Sequence, residues 1–265
     1  MHTLARICVA VQMMGNAVEA CDAPTTKSPA CRLCVHGQAR ARHLAAHARL
    51  FERLSLTVAA PAQATLDFWR AHTGLAAAGA VVAPHARLMD RGPAPAAPED
   101  RPFRLAFLGM PVALKGWPVF RDLAQRFADD PRYEFHHLGG RSDPAAPALF
   151  QAVSAGEEAP DAMQAAMEAL QADAALIWPL CRETFSFTAY EAAAAGAAIV
   201  TGPDSGNVAA FAAEGHGQVL RDEAALHAAF ETGEILELSR NRRGARLYRL
   251  EYGGLTADLV AEAEA

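Results

Sequence analysis

The chain has 265 residues, 24 of them basic and 30 acidic, for a formal net charge of −6, with 52% hydrophobic residues and abundant alanine. That length buries a substantial core and suits one large domain or two small ones, while the acidic balance argues against a general nucleic-acid binder. No run approaches eighteen consecutive apolar residues, so no transmembrane span is expected. The start "MHTLARICVAVQMMGNA" lacks the charged n-region and long apolar stretch of a signal peptide. A cytoplasmic location, peripheral to the inner membrane through the substrates handled, is the expectation.

Four of the five cysteines, Cys8, Cys21, Cys31 and Cys34, crowd the first thirty-four residues with the spacing C-x12-C-x9-C-x2-C. Four thiolates complete a tetrahedral zinc site, so a structural zinc is one reading. A reduced thiol cluster is the other. The basic stretch "RLCVHGQARARHLAAHARLFERL" (32 to 54) interleaves charge with apolar residues at helical spacing, which predicts an amphipathic helix over about 38 to 53 with a solvated basic face. A strand at 54 to 61, a helix at 62 to 73 and a short strand at 80 to 85 follow. "DRGPAPAAPEDRP" (90 to 102) reads as an interdomain linker, neither helix nor strand. The expected organisation is a partial first domain over 1 to 90, a linker over 91 to 102, a main domain over 103 to 235, and a helical segment over 236 to 265.

Beyond 102 the pattern turns regular. Apolar runs at 103 to 109, 133 to 139, 174 to 179, 197 to 202 and 217 to 220 predict strands. Helical patterns fall at 117 to 129, 160 to 172, 186 to 195, 207 to 214 and 222 to 231. Such alternation implies an α/β domain with a doubly wound parallel sheet, in which ligands bind beyond the carboxyl ends of the strands.

Two of those ends carry candidate chemistry. The first strand runs into "LGMPVALKGWPVF" (108 to 120), where Gly109 provides a tight turn and Lys115 stands before a helix N-terminus. A lysine there suits a phosphate oxygen, and a solvated loop lysine is the alternative. No G-x-G-x-x-G fingerprint is present, so nothing supports nicotinamide binding. The third strand leads into "LCRETFSFTAYEA", which places Glu183, Phe185, Ser186 and Phe187 before a helix and Glu191 one turn inside it. The helix end offers N–H groups to a diphosphate, and carboxylates accept bonds from sugar hydroxyls. The alternative leaves Glu183 compensating the helix dipole and Glu191 as a surface acid. His136 and His137, adjacent on a strand, point to opposite faces, so at most one meets a ligand and packing is the first expectation. Trp69, Trp117, Trp178 and Cys181 are expected to pack, and His85 is a weak further candidate.

The run "ETFSFTAYEAAAAGAAIV", with "FLGMPVALKG" ahead of it, resembles the E-x7-E signature of retaining glycosyltransferases with two Rossmann-like domains, the GT-B fold. The resemblance covers about 103 to 232, and more weakly residues 8 to 90 resemble the latter part of an acceptor domain. It implies a Rossmann-like donor domain preceded by a partial second α/β domain. The implied activity is sugar transfer from a nucleotide-diphosphate sugar to a glycan or lipid-linked acceptor, in cell-surface polysaccharide or glycoconjugate synthesis, with no metal needed for chemistry. Carried over, Glu183 contacts the transferred sugar, the backbone of Phe185, Ser186 and Phe187 holds the diphosphate, Glu191 takes the ribose hydroxyls, and Lys115 stabilises the leaving group. Met110 stands where the family usually has arginine, and Ser186 where it has glycine. A catalytically silent donor-domain remnant acting as a nucleotide-binding module is the alternative.

Overall fold

Alternating apolar strands and helices fold as their order dictates. A computed structural model describes residues 4, 7–10, 12–16, 19–154, 156 and 159–253. The chain divides into two units, one of residues 1–85, 180–185 and 252–265, the other of residues 86–179 and 186–251.

The first unit opens with a two-residue hairpin, β1 (Met14–Gly15) and β2 (Glu19–Ala20), and the helices α1 (Pro29–Leu33) and α2 (Gly37–Arg53). Ser28 starts α1 by accepting the Cys31 N–H on its hydroxyl, a standard N-cap. A β-α-β unit follows: β3 (Thr57–Ala60), α3 (Gln63–Thr73) and β4 (Gly79–Val82), whose strands pair in parallel. Ile7, Val58, Leu66 and Trp69 form its core. The expected helix at 38 to 53 is α2, but its basic face is not wholly solvated. Arg40 is buried and donates to the carbonyls of Ile7 (3.1 Å) and Ala23 (3.2 Å) and to Cys31 Sγ (3.4 Å), taking up backbone acceptors that water cannot reach.

The second unit begins with β5 (Ala86–Pro93), then β6 (Phe103–Leu108), α4 (Trp117–Arg126), β7 (Tyr133–Gly139), β8 (Leu149–Ala152), α5 (Ala162–Leu170), β9 (Ala174–Leu176), α6 (Phe187–Ala194), β10 (Ala198–Thr201), α7 (Asn207–Phe211), β11 (Gly217–Val219), α8 (Glu223–Thr232), α9 (Arg240–Arg243) and β12 (Arg246–Tyr252). Six of these strands make one parallel sheet in the order β11-β10-β9-β6-β7-β8. Phe107, Trp117, Phe120, Phe135 and Phe230 pack on one face with α4 and α8. Leu108, Leu138, Met167, Ala189 and Phe211 pack on the other with α5, α6 and α7. This is the doubly wound α/β fold that the strand-helix alternation implies.

Three stretches differ from expectation. The proline-rich 90 to 102 is not free of regular structure, because β5 pairs with β12. Beyond β5, Asn241 clasps Ala97, accepting its N–H at 2.9 Å and donating to its carbonyl at 2.8 Å. The segment from 236, expected to be helical, holds a 3-10 turn over Glu234–Leu238, the short α9 and then β12, while 254–265 lie outside the described residues. The strand β8, exposed throughout, carried no apolar run to announce it.

One buried charge fastens that C-terminal stretch to the sheet. The Asp173 carboxylate, beside β9, accepts from Arg101 at 2.7 and 3.0 Å and from the backbone N–H groups of Arg104 and Arg240, each at 2.9 Å. The Arg240 guanidinium continues to the carbonyls of Ala172 (3.2 Å) and Ala195 (2.8 Å).

Candidate functional site

In the second unit's sheet the chain runs outward from β6 through β7 to β8, then returns to β9 and runs the other way through β10 to β11. The order reverses between β6 and β9. Loops diverge at such a switch point and leave a crevice at the carboxyl edge, where ligands of open α/β sheets sit. The two segments singled out in the sequence, 109 to 116 and 177 to 191, leave these two strands.

The first is built on glycine. Gly109 has φ +99°, which a side chain would strain, and it donates to the Leu138 carbonyl at 2.8 Å. Gly139, at the end of β7, comes so close that a Cβ on it would lie 2.2 Å from the Gly109 carbonyl oxygen. The loop then makes a 3-10 turn over Ala113–Lys115 and closes at Gly116 with φ +83°. Lys115 is exposed at its apex. Pro118, in the first turn of α4, loses nothing by lacking an N–H.

Trp178 gathers three loops. A Cβ on Gly116 would meet the Trp178 carbonyl oxygen at 2.0 Å, and one on Gly202, just past β10, would meet its indole at 2.9 Å. Trp178 and Trp117 are buried, as expected, but each also shapes the edge. Trp117 Nε1 donates to Asp143 at 2.7 Å. Of the two adjacent histidines, His136 pairs with Glu134, while His137 is buried against Trp117 and bonds the Gly109 carbonyl at 2.9 Å. A histidine two residues before the paired glycines was the available signal for the second contact.

The second segment reaches α6. Ser186 precedes it with φ −127°, extended backbone that any residue adopts, so serine replaces glycine here without strain. Its hydroxyl bonds that of Thr188 at 3.0 Å and does not cap the helix. No acid occupies the first turn, so the positive end of α6 meets no charge from its own start. Phe187 is half exposed.

Glu191, on the same helix, is 7% exposed. Burial raises its carboxyl pKa to about 7, and no donor or cation among the described residues offsets that. It is therefore no surface acid. Asn207, opening α7, is also buried, and its side chain hydrogen-bonds the Tyr190 hydroxyl on α6. Sequence reasoning passed over this asparagine, although its place after Gly206 (φ +67°) at a strand-end turn was visible. A buried carboxylate lacking donors is costly unless something else satisfies it.

Glu183 and Phe185 fall in the first unit. There the segment is held by Thr65, whose hydroxyl donates to the Thr184 carbonyl at 2.8 Å, and by Arg182, which pairs with Asp22 at 2.7 Å and lies over the Phe68 ring at 4.5 Å. Glu183 is half-buried and Phe185 is buried edge-on to His85, ring centroids 5.1 Å apart. The four clustered cysteines line one cavity of about 430 Å³ in the same unit, with Arg40 in its wall. Among the described residues no three of His, Cys, Asp and Glu are grouped to hold a metal ion. The thiols thus share a cavity without forming a ligand set, and Cys31 Sγ already accepts from Arg40. Burial pushes the Cys8 thiol up. No helix among the described residues is long and apolar enough to cross a membrane.

No protein-family model matches this chain, and no curated protein does. Solved structures do. A GtfA/B complex aligns over 76% of this chain and 43% of its own, with a TM-score of 0.54 and 13% identity. A sucrose-phosphate synthase from Thermosynechococcus elongatus aligns over 79% of this chain and 58% of its own, with a TM-score of 0.51 and 17% identity. The likeness is one of fold, and this chain spans about half the length of the proteins it resembles.

Proposed function

We propose that this chain binds a nucleotide-diphosphate sugar at the carboxyl edge of the second unit's sheet and transfers the sugar to an acceptor hydroxyl. The observation that carries the reading is Glu191: a carboxylate buried to 7% exposure with no donor of its own, on the helix that follows the switch-point strand. Two vicinal ribose hydroxyls supply the donors it lacks. The positive end of α6, with the backbone of Ser186 and Phe187, takes the diphosphate. Gly109 shapes the facing loop, and the Lys115 ammonium stabilises the charge that develops on the leaving diphosphate. Solved structures of the same fold include a sucrose-phosphate synthase, which supports sugar-transfer chemistry here.

The roles proposed for Glu183, on the hydroxyls of the transferred sugar, and for the Phe185 backbone, on the diphosphate, rest on the E-x7-E motif. In the proposed step the bond between the anomeric carbon and the diphosphate oxygen breaks. The acceptor oxygen attacks the face the leaving group vacates, and its proton passes to the departing phosphate, so configuration is retained. No metal is required for this step. The proposed acceptor is a glycan or lipid-linked sugar of the cell surface, handled from the cytoplasmic side. A structural zinc at Cys8, Cys21, Cys31 and Cys34 would need those thiols to draw together.

Met110, in the place where the resemblance puts an arginine, favours a second reading: a nucleotide-binding module without turnover. Titration with UDP, GDP and ADP, followed by an assay for nucleoside diphosphate released from the matching sugar nucleotides, separates the two. Binding with release supports the transferase, and binding without release supports the module. Binding of none of the three overturns both.

A further inference from the structure

The loop after β6 contains a hydrogen bond that no helix or strand requires. His137 Nε2 lies 2.9 Å from the Gly109 carbonyl oxygen. A carbonyl only accepts, so Nε2 carries the proton and the ring is an Nε2–H donor. The ring is fixed from several sides, against Trp117 at 4.6 Å, Phe150 at 5.2 Å and Phe107 at 5.7 Å between centroids. Burial holds its pKa below the usual histidine range, so the neutral donor form persists at neutral pH.

That bond orients a second group. The peptide between Gly109 and Met110 is trans, so its C=O and N–H point in opposite directions. His137 shares its strand face with Tyr133 and Phe135, the face packed by α4. The Gly109 carbonyl is drawn toward that face, which turns the Met110 N–H toward the other, the one covered by α5 and α6. The Met110 N–H donates to nothing among the described residues, and Met110 is 45% exposed. Gly109 at φ +99° and Gly139, where a Cβ would meet His137 Nε2 at 3.1 Å, make room for this arrangement.

We infer that His137 is a positioning residue: through the Gly109 carbonyl it holds the Met110 N–H outward as a donor to a phosphate oxygen of the bound nucleotide. This rests on the donor-binding reading above. It gives the loop a backbone contact at the position where the side chain is methionine, so Lys115 is not left as the loop's one phosphate ligand. Methionine costs nothing in this role because every residue but proline brings the N–H.

Four proteins test it: wild type, His137→Gln, His137→Phe, and a variant with the Gly109–Met110 amide replaced by an ester, which removes the N–H. Each is titrated with UDP, GDP, ADP, the corresponding nucleosides and inorganic pyrophosphate, with thermal melting as a check on folding. His137→Phe and the ester are expected to weaken the preferred diphosphate and pyrophosphate about 10- to 100-fold, the range for one hydrogen bond to a charged group. Nucleoside affinity should stay within about 3-fold, and His137→Gln, whose amide still donates, should recover most of the loss. A purely structural role would lower nucleoside and diphosphate affinity together. ¹⁵N-labelled histidine spectra of the unliganded protein at neutral pH should show His137 as the Nε2–H tautomer. The Nδ1–H tautomer, or diphosphate binding unchanged in both His137→Phe and the ester, overturns the inference alone. A wild type that binds no diphosphate removes the donor reading and this inference with it.

Discussion

Gly116 abuts Trp178 so closely that a Cβ on the glycine would lie 2.0 Å from the tryptophan's carbonyl oxygen. The two belong to the loops after β6 and β9, the strands at the switch point, so this contact fixes how closely those two loops leave the sheet edge. Gly116 also has φ +83°. Gly116→Ala should therefore cost about 2–4 kcal/mol, combining left-handed strain with a backbone clash that flexible side chains cannot relieve. Denaturant unfolding measures it. An alanine variant as stable as wild type would show that the loop has room to move.

Glu191 makes stability and binding depend on pH in opposite ways. Its folded pKa of about 7 lies above the ordinary 4.5, so the folded state holds the proton more tightly than the unfolded one. The stabilisation is full below about pH 4.5 and is lost as pH rises through 7, roughly 3 kcal/mol in all. Glu191→Gln should abolish this slope and be the more stable protein above pH 7, as unfolding at several pH values will test.

Nucleotide binding should run the other way. Ribose hydroxyls donating to the carboxylate favour its charged form, so affinity should climb as pH rises toward 7 and level off above it. Proton release on binding should be visible by calorimetry in buffers of different ionisation enthalpy. A pH-independent affinity would remove Glu191 from the nucleotide site. Glu191→Ala should weaken nucleotide binding, whereas Glu183→Ala should chiefly reduce transfer, and equal wild-type behaviour of both variants would defeat the assignment.

Lys115 is exposed, so its removal should leave the fold intact. Lys115→Ala is expected to lower release of nucleoside diphosphate from the sugar nucleotide about 100-fold with an unchanged melting temperature, the size of effect seen when one charge-stabilising group is lost. A change confined to KM would reassign the lysine to ground-state binding.

Asp173 carries a structural prediction independent of function. Its carboxylate is 2% exposed and takes both Arg101 and the Arg240 backbone. Asp173→Ala should cost about 3–5 kcal/mol, because it strands the Arg101 and Arg240 cations in a dry site. Asp173→Ala combined with Arg101→Met should recover part of that loss. If the double variant is no better than the single, the cost lies in the backbone bonds to Arg104 and Arg240.

The strand-helix alternation after residue 102 determined the doubly wound sheet, because apolar runs of strand length must be buried on both faces and only covering helices achieve that. Local punctuation was equally readable. Gly109, Gly116 and Pro118 sit where turn and helix-start geometry demand those residues, and α2, α3 and α4 begin within a residue of their expected starts. The strands β5, β8 and β12 were illegible, since an exposed or edge strand held by pairing with a distant partner leaves no apolar signature. The same limit applies to Asp173, whose arginine partners at 101 and 240 are far apart in sequence.

Charge state and orientation were decided by tertiary structure. Taken residue by residue the sequence left Glu191 as a ligand or a surface acid, and only the motif resemblance put it on the ribose. Its raised pKa arises only when the fold buries it without a donor, a property of the packed neighbourhood. His137 took its role from a carbonyl twenty-eight positions away. Residue types and spacing determined which groups reach the carboxyl edge of the sheet. Burial and long-range hydrogen bonds decided which of them arrive there unsatisfied, because desolvation depends on every neighbour at once and no local stretch of sequence encodes it.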